Sequence, residues 1–361
     1  MISANFTNGS SNPQNGGKCN LYDYFNHPSS ITAFKMFFMS LILLISLVGN
    51  TLIILVVYKR KELRKTVNFL IVNMAVSDLI FPTIAIPLSL TSEATKSLQW
   101  KVNGTAGLVL CKLQFFLMNV SLGASVQSLL WIAIDRFMAV VFPMKIKIIS
   151  ARFRTTAIAS TWTVAMVGSL KDFFTVKLEE YNGTTFCLED TDNNYSLYRV
   201  WSFVLIGGFI FAPFIVMTVL YGAIGVTLCR RRKLTVLGKV YQKNTSNQQA
   251  IKMSLCIVVV FCIFSASFAT LSILRASGEW KYLESNPRFC WLYGVSGFMV
   301  YIALFLSSIT NPVICLTFVK SYRRGVKEIL ICRKTVRIKN TLLKKGTNGR
   351  IATLRISAIE T

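Results

Sequence analysis

Asp78 stands inside a long apolar run, 73-NMAVSDLI-80, where an ionisable side chain is costly to keep and therefore indicates a function. Three other polar residues lie at depths in other apolar runs from which they could face it, namely Asn50, Ser125 and Asn311. A carboxylate among hydroxyl and amide oxygens suits a small hard cation such as sodium, or ordered water. The same residues also fit a buried polar cluster that joins helices without any ion.

Two further motifs interrupt or end apolar runs. Asp135-Arg136 closes one run with adjacent opposite charges, which either anchor the chain at a membrane interface or carry a function. Asn311-Pro312 lies within another run, where proline removes a backbone donor and permits a kink. Neither motif is specific when it is taken alone.

The stretch after residue 319 has an apolar face and a basic face at helical spacing. The apolar positions are Tyr322, Val326, Ile329 and Leu330, and the basic positions are Arg323, Arg324 and Lys327. This pattern predicts an amphipathic helix lying on the lipids of the inner leaflet. Cys332 at its end is a candidate palmitoylation site, with an unmodified thiol as the alternative.

The elements that position these residues are seven apolar segments, each with the roughly 20 residues needed to cross a hydrocarbon core of about 30 Å. They run over 34–58, 67–92, 108–141, 153–174, 198–228, 249–275 and 290–318. Only 15% of the chain is charged, against about 25% in soluble domains. Because backbone groups in lipid must bond to each other, we expect helices. The predicted fold is an all-α membrane protein with an extracellular amino terminus at 1–33, a seven-transmembrane bundle at 34–318, and a cytoplasmic amphipathic helix and basic tail at 319–361.

The distribution of charge predicts the orientation. Lysine and arginine concentrate in the odd-numbered loops and the tail, which places the amino terminus outside and the carboxyl terminus inside. No cleavable signal peptide is expected, because residues 1–33 lack an apolar core. Candidate glycosylation sites on the predicted outer side are Asn5, Asn8, Asn103, Asn182 and Asn194. The net charge of +25 lies in short loops, so it indicates anionic lipids and cytoplasmic proteins as partners and not nucleic acid.

The sequence excludes or disfavours two other classes of function. It contains no catalytic constellation, and His27, its one histidine, lies in the amino-terminal region, so we do not expect an enzyme. A transporter or channel is disfavoured because there is no internal repeat. Apart from Asp78, the spans also hold almost no charge at mid-depth that could form a relay.

Taken together, the motifs resemble the rhodopsin-like family of G protein-coupled receptors, and the first three spans look nearest to neuropeptide receptors. The resemblance covers roughly 34–332. In chain order, it rests on Gly49-Asn50, 74-MAVSD-78, Trp100, Cys111 placed 25 residues before Arg136, Asp135-Arg136-Phe137, Trp162, Pro213 with Tyr221, and Asn311-Pro312.

The resemblance implies specific roles for these residues. Cys111 would form a disulfide with Cys187, with Cys19–Cys290 as a weaker companion. Asp135, Arg136, Tyr221, Asn311 and Pro312 would serve activation and coupling to a heterotrimeric G protein at the plasma membrane, with arrestin as a further partner. Asp78, Ser125, Asn311 and Asn50 would form an allosteric sodium site. No acidic residue stands near 247-NQQA-250, so Asp135 is the expected partner of Arg136.

The sequence departs from the family pattern in two spans. The sixth reads 261-FCIFSAS-267, with Ser265 and Ser267 where the family has tryptophan and proline, and the seventh has Cys315 in place of a tyrosine. These changes predict a less stabilised active state with low basal activity. They also leave open a receptor that binds ligand without signalling.

Absences narrow the ligand. Residues 291–319 contain no lysine for a retinal Schiff base, and Met118 replaces the aspartate of amine receptors, so neither retinal nor an amine is expected. The candidate ligand pocket is largely uncharged and aromatic, with Gln114, Met118, Asn119, Leu122, Phe268 and Tyr301. A peptide is the favoured ligand and a lipid is the alternative. The acidic second outer loop favours a basic peptide through long-range attraction, although such acids can also be a solvated face.

Overall fold

The computed structural model describes residues 28–144, 151–181, 183–189, 195–236, 245–277 and 290–329. Its helices follow the predicted spans closely: α1 is Ser29–Lys59, α2 Thr66–Thr95, α3 Gly104–Val141, α4 Ala151–Ser169, α6 Thr245–Ser277 and α7 Cys290–Phe318. The fifth helix, α5, covers 195–236 in three consecutive pieces: Tyr195–Leu205, the π-helix Ile206–Phe211 and Ala212–Val236. The prediction of a helical membrane bundle is confirmed. Judged by length and composition alone, four helices of the described chain can cross a membrane, or five if a bent pair counts as one.

The fourth helix is shorter than its predicted range of 153–174. It ends at Ser169, and a single turn Asp172–Thr175 follows. In this turn Lys171 Nζ lies 2.9 Å from Asp172 Oδ1 and 2.5 Å from Glu189 Oε1. These contacts connect the chain after α4 to the outer loop.

Helix α3 lies at the centre of the bundle, packed against α2, α4 and α5, while α7 packs against α1, α2 and α6. Small residues permit the closest contacts. A Cβ on Gly49 of α1 would lie 2.7 Å from Pro312 Cβ of α7, so α1 and α7 meet where only glycine fits. Large apolar side chains such as Phe34, Phe37 and Val219 are more than 60% exposed, as lipid-facing residues are.

A two-stranded antiparallel hairpin covers the outer end of the bundle. Strand β1, Val176–Tyr181, pairs with β2, Thr184–Glu189, and Leu178 stands opposite Cys187. The backbone N–H of Trp100 donates to the carbonyl of Thr185 at 2.8 Å, so the first outer loop is tied to the same hairpin.

The predicted amphipathic helix is present as α8, Lys320–Ile329, which meets α7 at an angle of 98°. Tyr322 is buried, Val326 and Ile329 are half-buried, and Arg323, Arg324 and Lys327 are exposed. The two predicted faces are therefore confirmed over these residues. Leu330 and Cys332 lie outside the described residues.

Candidate functional site

Asp78 is 4% exposed, and two of the other three predicted sodium-site residues bond to it. Ser125 Oγ of α3 donates to Asp78 Oδ1 at 2.6 Å, and the amide of Asn311 on α7 donates to Asp78 Oδ2. Ser77 Oγ lies 2.9 Å from Ser125 Oγ and extends the cluster. These contacts join α2, α3 and α7 at one buried carboxylate.

Asn50, the fourth predicted residue, does not bond directly to Asp78. Its amide donates to the carbonyls of Ser46 and Ser308, each at 3.0 Å, and so joins α1 to α7. The Oδ1 atoms of Asn50 and Asn311 are buried, and neither finds a hydrogen-bond donor among the described residues. A small hard cation prefers oxygen ligands such as amide and carboxylate groups. These two amide oxygens and the buried carboxylate of Asp78 are ligands of that kind.

At the inner end of α3, Arg136 folds back on its neighbour. Its Nε donates to Asp135 Oδ2 at 3.1 Å, and Asp135 is 3% exposed. The prediction that Asp135 is its partner is confirmed. Tyr221 packs against a cluster formed by Val140 of α3, Ile224 of α5 and Ile251 of α6. In this closed arrangement the Arg136 side chain is 13% exposed.

A cavity of about 600 Å³ opens at the outer end between α2, α3 and the hairpin. Gln114 and Met118 line it as predicted. Asn119 does not, because its amide turns towards Asp172 and donates to Oδ2 at 2.8 Å. Leu122 is also absent from the lining and packs among the buried core residues. The side chains of Phe268 and Tyr301 lie outside the described residues.

The cavity wall also holds residues that the sequence interpretation left elsewhere. Glu93, Glu189 and Trp100 all line the cavity, and none of the three was among the residues predicted for the pocket. Lys35 Nζ of α1 lies 3.0 Å from Glu93 Oε1. The cavity is largely uncharged, as predicted for the pocket, but its wall also holds charged groups that the predicted residues did not include. The position of Glu93 in the last turn of a span could have indicated its role, because an acid that is buried there needs a partner.

Glu189 forms an ion pair with Lys171. Burial lowers the pKa of the Lys171 ammonium, but the carboxylates of Glu189 and Asp172 outweigh that effect and hold the pKa above its usual range. Lys171 therefore stays charged and bridges the two acids just beyond the end of α4. Buried ion pairs therefore connect Glu189 of the outer wall to the turn that follows α4.

A disulfide joins Cys111 of α3 to Cys187 of β2, as the resemblance implied. Cys111 is fully buried, and the amide of Gln114 donates to Cys187 Sγ at 3.2 Å. The bond therefore holds the hairpin directly over the cavity. Cys19 lies outside the described residues, as does the side chain of Cys290.

Of the predicted glycosylation sites, Asn103 is exposed at the start of α3. Asn5, Asn8, Asn182 and Asn194 lie outside the described residues. Glycosylation at all five remains a prediction.

The chain resembles a family of known proteins over most of its length. The model described as "7 transmembrane receptor (rhodopsin family)" matches residues 49–315. A "QRFP-like peptide receptor" of Branchiostoma floridae is 26% identical over 85% of this chain and 79% of its own. "Neuropeptide FF receptor 2" of Mus musculus is 27% identical over 86% and 76%, and "Neuropeptide FF receptor 1" of Homo sapiens is 26% identical over 84% and 71%.

Proposed function

The chain belongs to the rhodopsin family of seven-transmembrane receptors, which are not enzymes, and we propose that it is a plasma-membrane receptor that binds an extracellular peptide and activates a heterotrimeric G protein. The observation that carries the proposal is the arrangement along α3. Met118 lines the outer cavity, Ser125 bonds to Asp78, and Arg136 closes the inner end. At 1.5 Å per residue, Met118 and Arg136 are about 27 Å apart on one helix.

A peptide fits the cavity better than a lipid does. The wall holds a buried donor, Trp100 Nε1, and a buried acceptor, Gln114 Oε1, and the described residues supply a hydrogen-bond partner to neither. A peptide unit carries both an acceptor and a donor. A lipid tail would leave both groups desolvated and unpaired, at a cost of about 1–3 kcal/mol each. The relatives named as peptide receptors point to the same class of ligand.

The test is a ligand screen. A peptide library and a lipid library are applied to cells that express the full chain, and responses are read with sensors for several G protein subtypes. We expect activation by peptides. Activation by lipids alone would contradict the peptide proposal, and ligand binding without any sensor response would identify a decoy receptor.

We further propose that the amino terminus lies outside, with anionic inner-leaflet lipids and arrestin as additional partners. Two features support this orientation. The exposed face of α8 is basic, and the exposed glycosylation sequon at Asn103 lies at the opposite end of the bundle from Arg136. An epitope tag at the amino terminus should be accessible to antibody on intact cells, and its accessibility only after permeabilisation would reverse the orientation.

We propose that the ligand is basic and that Glu189 is one of its counter-charges. Glu189→Gln should lower the potency of an arginine-containing agonist about tenfold or more, since a hydrogen bond to a charged group contributes about 1.5–3 kcal/mol. Lys171 keeps Asp172 as a partner in this variant, so the wall stays in place. On the Glu189→Gln receptor, replacing the arginine of this peptide by the neutral residue citrulline should lower its potency no further. Glu179→Gln is the matched control, because Glu179 lies on the same hairpin but does not line the cavity.

The Asp78 cluster supports a bound sodium ion as an allosteric ligand, held by Asp78, Ser125 and Asn311. In exchange with N-methylglucamine at constant ionic strength, sodium should lower agonist affinity in the wild type about fivefold to tenfold, within the usual range of allosteric coupling. Asp78→Asn and Ser125→Ala should abolish this effect. Ser128→Ala, which removes a buried α3 hydroxyl that bonds to Asn73 instead, should retain it. A sodium effect that survives in Asp78→Asn would remove the site from the proposal.

A further inference from the structure

The seventh helix lacks its expected tyrosine, and a buried tyrosine lies seven residues further on. Cys315 is fully buried in α7, and Tyr322, in the first turn of α8, is 1% exposed. Both side chains belong to one buried cluster that also contains Val56 of α1 and Val67 of α2. The phenol ring therefore enters the core at the inner end of the bundle, next to the position where a small thiol leaves space.

The Tyr322 hydroxyl connects α8 to α2 and to the first inner loop. It donates to Asn68 Oδ1 at 3.2 Å, and the amide of Asn68 donates in turn to the carbonyl of Leu63 at 2.7 Å. Burial, and to a lesser degree the neighbouring Cys315, raises the pKa of Tyr322 well above its usual value. The hydroxyl is therefore protonated throughout the physiological range and remains a donor.

Two other contacts hold α8 against α1, and they differ in burial. Gly325 lies so close to α1 that a Cβ there would stand 2.6 Å from Val56 Cγ1. Arg60 Nε donates to Glu328 Oε2 at 3.1 Å, but Glu328 is 64% exposed, so this ion pair contributes little. Docking of α8 thus depends on its buried face, where Tyr322 and Gly325 are buried and Val326 and Ile329 pack against the core.

The link to α7 is mechanical. Only Val319 separates the end of α7 at Phe318 from the start of α8 at Lys320. Any displacement of the inner end of α7 relative to α2 therefore carries Tyr322 with it. Because a hydrogen bond at 3.2 Å is near the upper limit of useful length, a movement of about 1 Å breaks it.

We propose that the Tyr322–Asn68 hydrogen bond is a latch of the resting receptor, which fixes the inner end of α7 against α2 and is released on activation. The structure that contains the bond is a closed one, with Arg136 folded on Asp135. The coupling of the latch to signalling rests on the proposed function. One neutral hydrogen bond of this kind shifts a two-state population about fivefold.

The test uses the full-length receptor and Tyr322→Phe, which keeps the ring and removes only the hydroxyl. In cells, basal G protein signalling at matched surface level should rise about fivefold. In purified receptor in lipid nanodiscs, hydrogen exchange of the amides at 320–329 should accelerate by a similar factor. Glu328→Gln, which removes the charge from the exposed contact between α8 and α1, is the matched control and should change neither measurement by more than about twofold.

A second variant separates docking of α8 from the hydroxyl itself. Gly325→Ala places a methyl group against Val56 and should push α8 outwards. We expect the same sign of change in exchange and in basal signalling, although Tyr322 is intact. Basal signalling in Gly325→Ala that stays at the wild-type level, despite faster exchange, would overturn the link between docking and activity.

The outcomes distinguish the latch from the proposed function. Unchanged amide exchange at 320–329 in Tyr322→Phe overturns the latch, whatever the receptor signals to. Faster exchange with unchanged basal signalling overturns its role in activation. Silence of every G protein sensor in the agonist-treated wild type contradicts the proposed function, and that result is read independently of the exchange measurement.

Discussion

Arg136→Ala is expected to abolish G protein activation while the receptor still reaches the cell surface. The guanidinium is a strong multiple donor at the inner end of α3, and its five N–H groups suit the backbone carbonyls of a partner helix. In the closed state it is held by Asp135 and is 13% exposed. Its removal therefore takes away a group needed by the active state and, among the described residues, breaks its pairing with Asp135.

The measurement compares agonist-induced G protein activation with surface level in the same cells. Arg64→Ala is the control, because Arg64 lies on the same side and bonds to the carbonyl of Tyr58 from an exposed position, so signalling should change less than about twofold. Asp135→Asn should act in the opposite direction and raise basal signalling, since it releases the guanidinium. Undiminished signalling in Arg136→Ala would rule out this mode of coupling.

The polar residues within the spans were the most predictable part of the site. A charged or amide side chain in lipid must point into the bundle, and its distance from the loops fixes its depth. These two constraints place Asp78, Ser125 and Asn311 together, as the structure does. They do not fix which atoms bond, so Asn50 falls at the right depth but bonds to Ser308 of α7 instead.

The outer cavity was harder to predict, because its walls come from the ends of helices and from loops. Hydropathy makes Glu93 and Glu189 look like surface acids, and only the fold shows that each is placed against a lysine distant in sequence. The prediction that Asn119 lines the pocket was wrong for a related reason. Neighbouring residues on α3 lie at similar depths, but their side chains differ in direction by about 100° per residue. Its amide therefore meets Asp172 and not the cavity.

The departure at Cys315 shows a third kind of limit. When α7 is compared with the family pattern one residue at a time, Cys315 in place of tyrosine predicts a missing contact and a less stabilised active state. The structure adds Tyr322, from another helix, to the same buried cluster. A motif scan of α7 cannot find such a replacement, because the two residues meet only after the chain turns by 98°.

Cys187→Ser is expected to remove most of the receptor from the cell surface. The disulfide joins residues 76 positions apart and closes a loop that includes all of α4 and most of the hairpin. Cross-links of this kind contribute about 2–5 kcal/mol, largely by restricting the unfolded chain. That is a large part of the roughly 5–15 kcal/mol of stability typical of folded proteins. Noncovalent ties of the hairpin, such as the pair of Lys171 with Glu189 and the bond from Trp100 to Thr185, do not cross-link the unfolded chain.

Surface level is measured by flow cytometry of an amino-terminally tagged receptor, and the bond by mass spectrometry of non-reduced peptides. The matched control is Cys229→Ser, which replaces an exposed free thiol at the inner end of α5 and should leave surface level unchanged. Receptor that does reach the surface in Cys187→Ser should bind agonist more weakly, because Cys187 lines the cavity beside Gln114. Free thiols at both Cys111 and Cys187 in the wild type, or wild-type surface level in the variant, would contradict the assignment.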